Sequence, residues 1–292
     1  MTVKKLSETE RASLPGSFVR LRRGYVHYEL SGPEDGPTIV LMPGLSVPYS
    51  TWDRTASVLA SRGYRVLRYD HYGRGYSDRP RAAYDLELFV EQLAELLPAL
   101  GLGESVFLVG LSMGGPVAAA AATMHPSLAS GLALIDPLFE WPKPDLASRL
   151  ALMPLLGEGI MALRGGAILA KGQRGDFSDE ISYSEFIPSY MPPLRYRGVE
   201  RAVLATMRSI PSWPLKRSFE ALGRSGLPIL LFWGRQDATL PFEQSARLLR
   251  CLPGAEFHVV EGAGHVPHWE KADEVNEVLL EFLDRVFSID SV

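Results

Sequence analysis

A single cysteine, Cys251, occurs in 292 residues. No intrachain disulfide can form, so the fold has to be held by its core. That usage fits a reducing compartment, and a cytoplasmic protein is expected. Positive charge is not in excess, since 30 Lys and Arg face 34 Asp and Glu for a formal net charge of -4. The electrostatic basis for binding nucleic acid or anionic membranes is therefore missing. Long apolar runs are missing as well. Gly, Arg, Lys or Pro interrupts each one well short of the ~20 residues of a membrane span, and no transmembrane segment is expected. Met1 to Glu10 is polar, with Lys4 and Lys5 but no apolar stretch behind them, so no secretory leader is expected. Neither an internal repeat nor a low-complexity tract occurs. Spacings of the H-E-x-x-H kind are absent too, and no metal or cofactor is expected.

With 46% hydrophobic and 22% charged residues, the composition is that of a globular chain long enough for one large α/β domain with room for an insertion. Ser17 to Leu30 reads as a hairpin turning at Arg23-Gly24. Thr38–Met42 and Arg65–Tyr69 read as short buried strands, with a helix over about Thr51–Arg62 between them. Asp85 is the expected N-cap of a helix running to Leu100, whose apolar positions keep helical spacing. Strands follow at Val106–Val109 and Gly131–Ile135. Later come a strand at Leu227–Trp233, a helix at Glu243–Arg250, a strand at Glu256–Val260 and a last helix at Ala272–Phe287. Strands that alternate with helices and are apolar throughout imply a mostly parallel sheet covered on both faces.

Between Pro137 and Pro214 the alternation fails. Pro, Gly, Met and aromatic residues are scattered there without a convincing strand. The segment reads as an inserted helical cap, with helices near Asp145–Met153, Gly159–Leu169 and Val199–Ser209. The expected division is a core of residues 1–136 and 215–292 carrying a cap at 137–214.

The stretch Ser105–Met124 joins an apolar strand to an alanine-rich helix through Gly110-Leu111-Ser112-Met113-Gly114. G-x-S-x-G between a strand and a helix is the context in which a serine sits on a sharp, strained turn with its hydroxyl lifted clear of the sheet. A serine needs a base, and the base needs an orienting acid. Loops at strand carboxyl ends are the places to look. Asp237 follows the strand ending at Trp233, and His265 follows Glu261-Gly262-Ala263-Gly264 just before the last helix. Asp136, directly after Ile135, competes with Asp237 for the acid role, and His268 is the nearest rival of His265. His71 could line the site. Asp70 is expected to hold its loop through bonds to N–H groups. The expected oxyanion donors are the backbone N–H groups of Met113 and Leu45.

With these parts in order, the chain resembles the α/β-hydrolase superfamily in its capped form. The resemblance runs through Pro43-Gly44, Asp70–Ser77, Gly110–Gly115, Trp233–Asp237 and Gly262–Glu270, and covers nearly the whole chain. The family order of nucleophile, acid and histidine matches Ser112, Asp237 and His265. Met42-Pro43 stand where many relatives carry a histidine before the oxyanion glycine. Serine at 112 separates the chain from dehalogenases and epoxide hydrolases of this fold, which use aspartate. Carbon–carbon bond hydrolases of ring-cleavage products are similar around Trp269-Glu270, but they carry tryptophan after the catalytic histidine where this chain has Val266. Arg195 and Arg197 are the candidates for their substrate-carboxylate site. Cofactor-free haloperoxidases share the triad.

The resemblance implies a carboxylic ester hydrolase acting on a small molecule. Met153, Met161, Phe177, Phe186, Tyr190, Met191 and Trp213 suggest a pocket for an apolar acyl or aromatic part. A carbon–carbon hydrolase and a non-catalytic ligand receptor are the alternatives.

Overall fold

The computed structural model describes residues 4–103, 105–141 and 146–289. After a short helix α1 (Glu8–Ala12), β1 (Ser17–Leu21) and β2 (Gly24–Ser31) form the hairpin. The turn is Arg22-Arg23, one residue earlier than expected, because Gly24 already pairs with Leu21. β3 (Thr38–Met42) leads to a 3₁₀ turn at Tyr49–Trp52, and α2 (Asp53–Ser61) continues from it. Next come β4 (Arg65–Tyr69), α3 (Leu86–Ala99), β5 (Val106–Leu111), α4 (Gly114–Met124) and β6 (Ala129–Ile135). α3 is capped as expected, the Asp85 side chain accepting from Leu88 N–H at 3.0 Å.

Helices then take over with α5 (Leu146–Leu152), α6 (Leu156–Arg174), α7 (Glu180–Tyr190), α8 (Val199–Ser209) and α9 (Leu215–Gly223). The expected segment at Asp145–Met153 corresponds to α5, and Asp145 itself lies outside the described residues. The α/β alternation resumes with β7 (Ile229–Gly234), α10 (Glu243–Leu249) and β8 (Glu256–Val260), then a single turn α11 (Pro267–Glu270) and the long α12 (Ala272–Ile289).

The eight strands lie in the order β1-β2-β4-β3-β5-β6-β7-β8. Only β2 runs against its neighbours, pairing antiparallel with both β1 and β4. Pleating sends successive side chains to opposite faces, and both faces are covered. Val40 and Met42 of β3 and Val106 and Leu108 of β5 join α3, α4 and α9 in one apolar layer. Ile39, Leu41, Phe107 and Val109 join α2 and α12 in the other. This double burial is why the central strands are apolar at nearly every position. α4 is buried from Gly114 through Ala122, and its alanines let it sit close to β5, α3 and α9. A larger side chain there would overpack the layer, at about 1–3 kcal/mol.

Besides the short α1 and α11, two longer helices were not expected from the sequence although their signals are present. α9 buries Leu215, Ser218, Phe219 and Leu222, a three–four spacing. α7 opens on the N-cap Asp179, whose side chain accepts from Ser182 N–H at 2.8 Å, but Pro188 inside it hides the pattern. Among the described residues no helix is long and apolar enough to cross a membrane.

Candidate active site

The parallel strands all point their carboxyl ends to one edge, and the candidate residues gather there. β5 stops at Leu111, and Ser112 takes a left-handed φ of 52° before α4 begins at Gly114. That conformation costs a residue with a β-carbon on the order of 1–3 kcal/mol. The surroundings hold it in place: Ser112 N–H donates to Ile135 O at 2.9 Å, while Ser112 O accepts from Gly115 N–H at 3.0 Å and Leu138 N–H at 2.9 Å. The two motif glycines are required by close approach rather than by φ. A β-carbon on Gly110 would lie 2.6 Å from Gly114 O, and one on Gly114 would lie 2.5 Å from Met42 O.

Asp237 follows β7 and is buried. Its Oδ1 accepts from the N–H groups of Thr239 and Leu240, each at 2.8 Å, and its Oδ2 lies 2.7 Å from His265 Nδ1. With Nδ1 facing a carboxylate, the imidazole carries its proton there and Nε2 is left as the acceptor for a hydroxyl. The loop around His265 is anchored twice. His265 N–H donates to Asp176 O at 2.7 Å, and Gly264 N–H donates to Glu270 Oε2 at 2.6 Å. Burial works against the imidazolium, but the charge and hydrogen bond of Asp237, with the charges of Asp176 and Glu270, outweigh it and push His265 up to about 9.

Asp136, the rival acid, stands beside this pair: ligand-type atoms of Asp136, Asp237 and His265 all lie within 4.8 Å of one another. Its backbone is also left-handed, with φ 42°. Oδ1 accepts a single N–H, from Gly234 at 2.9 Å. Burial first, then the charge of Asp237, raises its carboxyl well above the usual range. Two buried carboxyls this close do not both ionise. Asp237 receives three donors where Asp136 receives one. Asp136 is the member whose charge is disfavoured, and its Oδ2 is buried without a hydrogen-bond partner.

Gly44 approaches the nucleophile closely, since a β-carbon on it would lie 3.3 Å from the Ser112 Cβ. Leu45 and Met113 both border the cavity into which Ser112 opens. Met113 immediately precedes α4, and the first N–H groups of a helix have no partner within it. The loop carrying Leu45 is braced by Arg74, which was not assigned from the sequence, and by His71. Arg74, fully buried, donates from Nε to Leu45 O at 2.7 Å and from Nη2 to Thr206 Oγ1 at 2.7 Å. His71 Nε2 meets Pro43 O at 3.2 Å.

His71 is therefore a correction. It braces the loop and is absent from the cavity lining, and burial, then the charge of Arg74, pushes it down to about 3, so it is neutral. His268 is likewise buried, paired with Thr51 at 3.2 Å and pushed down to about 3 by burial. Asp70 does hold its loop: it accepts from Tyr49 N–H at 2.7 Å and Tyr76 N–H at 2.8 Å, and pairs with His27 at 2.7 Å.

Ser112 and His265 open onto a cavity of about 610 Å³. Of the cap residues expected to line it, Met161 does. Phe177, Phe186 and Tyr190 instead pack with Trp269, Trp213 packs beside Phe89, and Met153 is exposed. The walls are Leu138, Leu152, Ile168, Val203, Met207 and Ile210 among others. Periodicity alone could not distinguish side chains that seal the inserted helices onto the sheet from those that stop at the cavity. Neither Arg195 nor Arg197 borders it, and no Lys or Arg does among the described residues.

A model of the alpha/beta hydrolase family matches residues 39–278. A similar curated protein is 2-hydroxy-6-oxononadienedioate/2-hydroxy-6-oxononatrienedioate hydrolase 1 of Dechloromonas aromatica, 27% identical, the alignment covering 95% of this chain and 98% of that protein. The thermophilic esterase of Thermogutta terrifontis superposes with a TM-score of 0.80 at 24% identity, over 93% of this chain and 99% of its own. The enol-lactonase of Burkholderia xenovorans LB400 gives 0.78 at 22%, over 91% and 99%. At these identities the two structures speak for the fold. The eight-stranded, mostly parallel sheet, the strand–serine–helix turn and the family match over most of the chain lead to one assignment: the protein belongs to the alpha/beta hydrolase family.

Proposed function

We propose that the protein is a serine hydrolase cleaving carboxylic esters through an acyl-enzyme, with residues 137–214 acting as a cap over a core of 1–136 and 215–292. The observation that carries this reading is the buried Asp237–His265 contact of 2.7 Å beside a cavity onto which Ser112 also opens. Ser112 Oγ attacks the ester carbonyl while His265 Nε2 takes its proton. The oxyanion is received by the N–H groups of Leu45 and Met113. The imidazolium, oriented and stabilised by Asp237, then gives the proton to the leaving alkoxide. Water repeats the sequence on the acyl-enzyme, with His265 as base, and releases the acid.

The curated relative named for a dioate substrate favours a second reading, cleavage of a carbon–carbon bond. The cavity lining argues against it, because a dianion would enter an apolar space with no Lys or Arg on the described walls and with Asp176 beside it. A panel of short alkyl and aryl esters, run against a ring-cleavage dienone, separates the two. Ester turnover with negligible dienone cleavage is expected; the opposite result moves the assignment to the second reading.

The pH dependence follows from His265. The base is active only when neutral, and its neighbours raise it to about 9. In the free enzyme kcat/KM should therefore fall about tenfold per pH unit below that value. A profile flat between pH 6 and 9 would remove His265 from the role.

A further inference from the structure

One wall of the otherwise apolar cavity is polar, formed by Ser46, Gln173, Asp176 and Thr239. We propose that this wall is a subsite for a hydroxyl group on the leaving alcohol, so that the preferred substrates are esters of apolar acids with hydroxylated alcohols. The inference rests on the ester-hydrolase reading and goes further by naming the substrate class.

The four side chains form one connected set. Thr239 Oγ1 donates to Asp176 Oδ1 at 2.5 Å. Gln173 Nε2 donates to Asp176 Oδ2 and to Ser46 Oγ, each at 3.2 Å. Tyr190 OH donates to the same Ser46 Oγ at 3.2 Å. The carboxylate fixes the amide with its NH₂ inward, which turns Oε1 away from every protein donor. Gln173 is 5% exposed, and its Oε1 is buried without a hydrogen-bond partner. A buried carbonyl left unpaired is costly, and such groups are rare in native proteins. That carbonyl is closed off from the cavity as well as unpaired, so the acceptors this wall offers a ligand are the Asp176 carboxylate oxygens, which each keep a spare lone pair. Such a wall favours a donor from the ligand.

The position of the wall identifies which half of the ester supplies that donor. Asp176 O holds His265 N–H at 2.7 Å, so the wall adjoins the base. His265 must reach the leaving oxygen to protonate it, which puts the alcohol half on this side and the acyl half against the apolar walls. A neutral hydroxyl suits the site better than an ammonium. The imidazolium formed during catalysis stands beside Asp176 and would repel a second cation, and the other three side chains are uncharged. Anionic alcohols are excluded by the carboxylate.

The test compares kcat/KM of the full-length protein for 2-hydroxyethyl butanoate, its near-isostere propyl butanoate, and the 2-(trimethylammonio)ethyl ester. The hydroxyethyl ester should exceed the propyl ester by about 10–100-fold, the range for a hydrogen bond to a charged acceptor. Asp176→Asn and Gln173→Leu should each bring that ratio close to one. A purely structural role would lower both esters together and leave the ratio unchanged, and either variant serves if the other fails to fold. Ester turnover with a wild-type ratio near one, a ratio unmoved in the variants, or preference for the trimethylammonio ester each overturns the subsite alone. Absence of turnover on all three esters overturns the ester-hydrolase reading and the subsite with it.

Discussion

Ser112→Ala is expected to lower kcat by about 10⁴-fold or more while leaving the fold as stable as before. The hydroxyl is the only atom lost. The β-carbon that pays for the left-handed φ of 52° stays, and so do the backbone bonds to Ile135, Gly115 and Leu138. Thermal unfolding should therefore shift by no more than about a degree or two, since ~1 kcal/mol moves a domain of this size by only a few degrees. Binding and the oxyanion N–H groups survive the change, so a small residual rate over water is compatible with the assignment. Turnover close to wild type would show that another group is the nucleophile.

Asp237→Asn should lower kcat by about 10⁴-fold, and Asp136→Asn by less than about tenfold. At 237 the carboxylate accepts from Thr239, Leu240 and His265 together. An amide keeps the two backbone bonds through its oxygen and turns its NH₂ toward His265. That favours the tautomer with the proton on Nε2, where it blocks acceptance from Ser112. At 136 burial and the charge of Asp237 already disfavour the carboxylate, so a neutral amide changes little and can keep the bond from Gly234 N–H through its oxygen. Steady-state kinetics on the two variants at one pH is sufficient. The reverse ranking would move the acid role to Asp136.

The core was legible in the sequence for a physical reason. β3, β4 and β8 run over the expected residues because each breaks off at a turn signal, Pro43, Asp70 and Glu261-Gly262, although β4 carries Arg65 and Arg68 and the edge strand β8 is only partly buried. The strand-end rule singled out Ser112, Asp237 and His265 across a separation of 153 positions (112 to 265), and the structure pairs Asp237 with His265. The inserted helices were harder to read because they break the usual correlation of apolar with buried. Leu155, Leu163 and Ile181 are 87%, 87% and 71% exposed, so their spacing carries no core signal. Arg74, Gln173 and Asp176 were missed for a different reason. Each looks like an ordinary surface residue, and only tertiary contact takes Arg74 to the Leu45 loop and Asp176 to His265.

The central claim is that Ser112 is an activated nucleophile, and covalent labelling tests it without knowledge of the natural ester. The native protein, treated with a fluorophosphonate and digested, should show one phosphonylated peptide by mass spectrometry, modified at Ser112. Labelling should slow as pH falls below about 9, where His265 becomes protonated, and should vanish in Ser112→Ala. A native protein that stays unlabelled at pH 9 would contradict the account and point to a fold kept for binding alone, and an adduct on another residue would contradict it by identifying a different nucleophile.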